Sequence, residues 1–134
     1  MAVWGVGIDL VRVERFEVLL GRWGDRFAKR VFTEVELEAC SGRTRRYSCL
    51  AIRFAAKEAF VKALGTGMSD PVLWRDVEVR NNPLGKPEIF LSPRAEKFCR
   101  ERGITSWHLS MTDDGAYGAA VAIIEHEGAE RAGR

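Results

Sequence analysis

Residues 47–67 read YSCLAIRFAAKEAFVKALGTG. Leu50, Phe54, Ala55, Val61 and Leu64 form an apolar stripe, alanine is abundant, and Gly65 and Gly67 supply a stop. The stretch therefore reads as a helix over Tyr47–Leu64. Its residues are mostly small and apolar, so it should expose little solvated surface. Even so it carries Lys57, Glu58 and Lys62, and a carboxylate in that setting needs a partner.

Upstream, Val3–Leu10 reads as a buried strand, β-branched and glycine-rich, with Gly5 and Gly7 marking close approach by another backbone. Val13–Trp23 follows as a helix on the spacing of Phe16, Leu19, Leu20 and Trp23. Gly24 and Asp25 break it, and Phe27–Phe32 reads as a short helix or turn. Thr33–Glu34–Val35–Glu36 matches a capping box, which starts a helix that ends near Cys40. The polar, basic stretch 41–47 reads as a loop.

Downstream, Trp74–Arg80 alternates like a strand, Asn81–Pro87 turns, and Glu88–Leu91 returns as the second arm of a hairpin. Ser92–Pro93 opens a helix that runs to Arg102. Ser106–Thr112 and Ala116–Glu125 form a second hairpin around Asp113–Gly115. The order of strand, helices, hairpin, helix and hairpin predicts an α+β fold, with helices packed on a largely antiparallel sheet. One domain is expected over residues 1–125, followed by a polar, frayed tail over 126–134, which includes His126.

The chain has 134 residues, 46% hydrophobic and 30% charged, the balance of a globular protein able to bury a core. Net charge is +2, from 21 basic and 19 acidic residues, so no global field calls for nucleic acid. Basic residues cluster locally, at Arg43, Arg45 and Arg46 and along the segment from Arg12 to Arg30. Such a segment suits an acidic partner.

The three cysteines, Cys40, Cys49 and Cys99, are odd in number and lack CxxC spacing. They are expected to be reduced thiols in a cytosolic protein rather than a disulfide framework or a zinc site. No signal peptide is expected, because Asp9 interrupts the apolar start and no basic segment precedes it. No apolar run approaches the roughly 20 residues that span a bilayer.

Glu58 and Lys62 stand at i and i+4 and share a helix face, so a solvated ion pair is one reading. Asp9, at the end of a strand, is either the cap of the next helix or an oxygen ligand. Together they allow a second reading, a Mg²⁺ site beside a diphosphate. Mg²⁺ takes one or two protein carboxylates and fills its octahedron with water and substrate phosphates. Gly65–Thr66–Gly67 reads first as a capping turn, and the Walker A spacing is absent. Gly85–Lys86–Pro87 reads as a hairpin turn whose lysine can reach a phosphate. No Ser, His and Asp order is recognisable; His108 sits on an expected strand.

Taken in order, these blocks resemble the holo-acyl-carrier-protein synthases, the small trimeric class of 4′-phosphopantetheinyl transferases. Gly5–Phe16 resembles the family's first motif and Arg53–Gly67 its second, which is highly specific. The stretch from Phe27 to Glu36 resembles a further motif, Gly85–Lys86–Pro87 a glycine-lysine-proline turn, and Trp107–Thr112 the strand before the last motif. The resemblance spans roughly residues 3 to 125.

The resemblance implies transfer of 4′-phosphopantetheine from coenzyme A to a serine of apo acyl carrier protein, releasing 3′,5′-ADP, in the cytoplasm. It implies a homotrimer with the active site between subunits, and no role for nucleic acid or membrane. Asp9 and Glu58 would hold Mg²⁺ on the diphosphate. Lys62 would contact the phosphates and assist proton transfer. Arg53, Gly65, Thr66, Gly85, Lys86 and Pro87 would line the coenzyme A site, and Arg15 and Arg22 would meet the carrier protein.

One position departs from the family pattern: Asp113 stands where a histidine is usual. Two readings stay open for it, proton acceptor or addition to the metal shell. The departure also motivates an alternative, a non-catalytic module that binds coenzyme A or a carrier protein.

Overall fold

A computed structural model describes residues 1–127. Strand β1 (Ala2–Arg12) leads into α1 (Val13–Val31), α2 (Glu34–Cys40) and the central α3 (Arg46–Leu64). A 3₁₀ turn over Trp74–Asp76 precedes β2 (Val77–Asn81) and β3 (Pro87–Leu91). Helix α4 (Pro93–Glu101), β4 (Ile104–Asp113) and β5 (Tyr117–His126) complete the fold. The α+β expectation holds. One sheet runs in the order β1-β5-β4, antiparallel throughout, and β2-β3 is a separate antiparallel hairpin.

Helix α3 lies directly on β1 and β5. The contact is close because β1 has no Cβ where the helix crosses. A Cβ at Gly7 would overlap the Ala59 carbonyl oxygen, and one at Gly5 that of Ala63. The helix contributes Ala59 and Ala63, one turn apart, both buried. Trp4 Nε1 then donates to the Leu64 carbonyl, 3.2 Å, and ties the strand to the end of the helix. The helix stops at Gly65, whose φ of 88° is left-handed and whose N–H donates to Val61 and Lys62 carbonyls. Two cores flank α3. One lies between α3, the sheet and the β2-β3 hairpin; the other lies under α1 and α2, around Phe16, Phe32 and Leu50.

The capping box of α2 is present as expected: Thr33 Oγ1 accepts from the Glu36 N–H and Glu36 Oε1 from the Thr33 N–H. Several expectations change. The strand expected at Trp74 starts three residues later, because Asp76 accepts from the Leu73 N–H at 2.9 Å and winds Trp74–Asp76 into a 3₁₀ turn. Gly24 does not end α1 but kinks it, at φ 58° and ψ −145°. The expected apolar stripe on α1 shrinks to Phe16 and Leu20, since Leu19 and Trp23 are exposed. His126 does not fray: it is the last residue of β5, buried edge-on against the Trp4 ring at 5.5 Å. Residues 128–134, most of the expected tail, lie outside the described residues.

The cysteine expectation is overturned too. Cys40 and Cys49 form a disulfide, Cα to Cα 5.6 Å, and only Cys99 is free, in the core. Spacing along the chain concealed this pairing. The turn after α2, with Gly42 at φ 72°, folds the start of α3 back onto the last residue of α2.

Two glycine substitutions separate packing from chain entropy. Gly7→Ala must push α3 off β1 and is expected to lower unfolding free energy by about 3 kcal/mol. At Gly21, on the exposed face of α1, a Cβ meets nothing within 4 Å. Gly21→Ala is expected to raise stability by about 0.5–1 kcal/mol, and urea unfolding of both variants reads the difference.

Candidate active site

The crossing of α3 over β1 brings Asp9, Glu58 and Lys62 together. Asp9 is three residues short of α1, whose N-cap is Arg12 with no side-chain cap, so the capping role for Asp9 is excluded. Lys62 does not pair with Glu58 along the helix. It crosses to β1, where Nζ lies 2.8 Å from Asp9 Oδ1 and 3.1 Å from the Ile8 carbonyl. Glu58 accepts no hydrogen bond among the described residues and is half-buried. Burial pushes its carboxyl above the ordinary range, the charge of Asp9 pushes it further, and Lys62 offsets only part.

Two carboxylates thus lie close enough for the charge of Asp9 to act on Glu58, with one ammonium bonded to Asp9. The donor set is hard oxygen, and the ammonium already occupies the kind of position a cation takes. Oxygen-preferring divalent ions fit this set, with water and substrate oxygens completing the shell. Among the described residues no group of three or more His, Cys, Asp or Glu is placed to hold a metal by itself.

The remaining expected residues lie elsewhere in the chain. A cleft of about 690 Å³ is lined by Arg45, Arg53, Gly85, Pro87 and Asp113 among others, but by none of Asp9, Glu58 and Lys62. Lys86 lies beside it, on the groove between β3 and β4. Arg53 is buried; Nη1 donates to the Cys49 carbonyl at 3.1 Å, while Nε has no hydrogen-bond partner. Asp113, the last residue of β4, is exposed. Gly65 and Thr66 form the capping turn after α3, with Thr66 Oγ1 on the Gly67 carbonyl. Arg15 and Arg22 are exposed on α1. His108 is engaged away from both places, with Nε2 2.7 Å from Glu125 Oε1.

Glu36 was legible in the sequence only as a helix cap. Its carboxylate also pairs with Lys57, 2.7 Å, both side chains fully buried. The available signal was Lys57 itself, a cation inside a run of alanine and phenylalanine that demands an anion.

A profile of the 4′-phosphopantetheinyl transferase superfamily matches residues 5–122. The chain belongs to this superfamily. A holo-[acyl-carrier-protein] synthase from Trichlorobacter lovleyi is 46% identical over 123 residues, covering 92% of this chain and 98% of that protein. The crystal structure of holo-[acyl-carrier-protein] synthase from Neisseria meningitidis superposes with a TM-score of 0.88 at 38% identity, covering 92% of this chain and 98% of that one. The enzyme from Bacillus anthracis, solved in complex with CoA (3′,5′-ADP), gives 0.78 at 33% identity and covers 95% of this chain and 100% of that one. The resemblance drawn from the motifs is borne out, and the superfamily's fold is the one described above.

Glu58 sets a pH dependence. Its folded pKa is raised, so in protein free of divalent ions the ionised carboxylate opposes folding, in full above that pKa and not at all below the ordinary carboxylate value. Glu58→Gln is therefore expected to raise the urea midpoint at pH 7. The gain should shrink as pH falls below the raised Glu58 pKa and vanish below the ordinary carboxylate value, read by urea titrations at a series of pH values.

Proposed function

We propose that the chain is a holo-[acyl-carrier-protein] synthase that moves 4′-phosphopantetheine from coenzyme A to a serine hydroxyl of apo acyl carrier protein, releasing 3′,5′-ADP. The observation that carries this reading is the meeting of Asp9, Glu58 and Lys62 where α3 crosses β1, within the segments that match the superfamily.

Asp9 and Glu58 would hold Mg²⁺, which when bound neutralises the diphosphate of coenzyme A. The serine oxygen forms a bond to the phosphorus that bears the pantetheine arm, and the bond to the 3′,5′-ADP oxygen breaks. Such transfers need placement and charge neutralisation more than covalent help from protein. Lys62 supplies a positive charge on the phosphates. Arg53, with its unused Nε, the exposed Gly85 and Lys86 and the half-buried Pro87 supply the coenzyme A wall. Gly65 and Thr66, at the end of α3, border the phosphates. We assign the proton from serine to Asp113, which lines the cleft. The relatives that match almost the whole chain are synthases by name, which disfavours a non-catalytic binding module.

The carboxylate pair and the cleft are separate in one chain, and a homotrimer would join them. Support comes from the outer face of the sheet. Val6, Ile8 and Leu10 on β1 are 60%, 67% and 66% exposed, and Ile123 stands beside Val6 on β5. An apolar sheet face of this kind calls for cover. Asp9 points to the opposite face of β1, but β1 is an edge strand, so a second copy that covers this face and reaches round the edge would approach the carboxylates. Arg15 and Arg22 on α1 offer charge to an acidic carrier protein. Among the described residues no helix is long and apolar enough to cross a membrane. With coenzyme A as donor, the reading places the protein in the cytoplasm.

Purified protein, coenzyme A and Mg²⁺ are expected to add the mass of one phosphopantetheine to an apo carrier protein; no gain with any of several carriers overturns the reading. Glu58→Gln should retain the fold and lose about 100-fold or more in turnover. Arg15→Glu combined with Arg22→Glu should raise KM for the carrier, flatten its salt dependence and leave kcat unchanged. Light scattering of the wild type should give three times the chain mass.

A further inference from the structure

Glu58 presents a difficulty of its own. A metal-holding carboxylate needs its position fixed, yet no protein group donates a hydrogen bond to it among the described residues. Its place is inherited from the backbone of α3. On the β1 side, α3 rests on Gly5 and Gly7 through Ala59 and Ala63, a close contact without direction. Hydrogen bonds to β1 come only from Trp4 at the end of the helix and from the half-exposed Lys62 among the described residues; the buried ones at mid-helix come from the other side, through the residue next to Glu58.

Lys57 Nζ lies 2.7 Å from Glu36 Oε1, 2.8 Å from the Trp74 carbonyl and 2.5 Å from the Val77 carbonyl. All three ammonium hydrogens are thus used. Glu36 is held as firmly: Oε1 also accepts from the Thr33 N–H at 3.0 Å, and Oε2 accepts from the Val79 N–H at 2.7 Å. One buried pair therefore joins α2, α3, the 3₁₀ turn and β2. Adjacent helix residues move as one body, so any turn of α3 that displaces Lys57 displaces Glu58.

We propose that Glu36 is a positioning residue for the carboxylate pair: by gripping Lys57 it sets the rotation of α3, and so the distance from Glu58 to Asp9. This rests on the reading of Asp9 and Glu58 as metal ligands. Glu36 touches neither substrate nor metal in this role and acts through Lys57 and the helix.

The test uses Mn²⁺ alone as probe, with affinity read by electron paramagnetic resonance and fold by circular dichroism and thermal unfolding. Glu36→Gln leaves a buried ammonium without its anion, and is expected to weaken Mn²⁺ binding about tenfold. Because that variant can also lose stability, the second variant is the double Glu36→Leu/Lys57→Met, which removes both charges. Apolar replacement of a buried ion pair is often neutral or stabilising. The double variant should therefore unfold near the wild-type temperature and still bind Mn²⁺ about tenfold more weakly. In turnover it should show a raised KM for Mg²⁺ with kcat preserved at saturating metal. A folded double variant that binds Mn²⁺ like the wild type overturns the positioning role. Wild-type protein that binds no Mn²⁺ overturns the reading of Asp9 and Glu58 as metal ligands, and the positioning role with it.

Discussion

The close seat of α3 on β1 is the constraint from which the site follows. Two missing Cβ atoms, at Gly5 and Gly7, let the helix backbone come down onto the strand opposite Ala59 and Ala63. Asp9 follows Gly7 by two residues on the strand, and Glu58 and Lys62 flank Ala59 and Ala63 on the helix. The same approach that packs the core thus draws two carboxylates and an ammonium into one place. Raising the helix by the width of a methyl group would spoil packing and site together, because interiors have no slack to absorb it.

Charge is handled differently on the two sides of this helix. Toward the hairpin, Lys57 and Glu36 are wholly buried and all their hydrogen-bonding positions on the lysine are met. A pair of this kind adds little net stability, since desolvation offsets most of the attraction, but it fixes geometry. Toward β1, the charge is left partly unmet. Asp9 and Glu58 share the charge of one partly exposed lysine, which bonds Asp9 alone. The first side is closed and structural, and the second leaves one carboxylate, Glu58, with no hydrogen-bond donor among the described residues. That contrast follows from the same sequence, in which Lys57 and Glu58 are neighbours set about 100° apart around the helix.

Much of this was legible before any coordinates. The α3 stripe, its glycine stop, the Thr33–Glu36 capping box and the meaning of Gly5 and Gly7 all rest on local spacing, which the chain prints directly. Asp9, Glu58 and Lys62 were legible as a set because their motif blocks were. The partners were not. Lys62 reaching across to Asp9 rather than along the helix to Glu58, Glu36 serving Lys57, and Cys40 meeting Cys49 are all contacts through space. Each depends on how elements stack, and sequence separation says little about that. The 3₁₀ turn at Trp74–Asp76 was missed for a local reason: an alternating pattern reads as strand until a carboxylate bonds its own backbone three residues back. The exposed Leu19 and Trp23 show the remaining weakness, since helical spacing predicts a buried stripe but not where the neighbouring layer ends.

The bond between Cys40 and Cys49 changes what the basic segment between them is. Arg43, Arg45 and Arg46 sit on a covalent ring whose two feet are the last residue of α2 and the first turn of α3. A segment tethered at both ends behaves as a hoop rather than a flap. It cannot swing clear of the cleft it borders without dragging a helix along, so Arg43 and Arg45, which line that cleft, stay part of its wall.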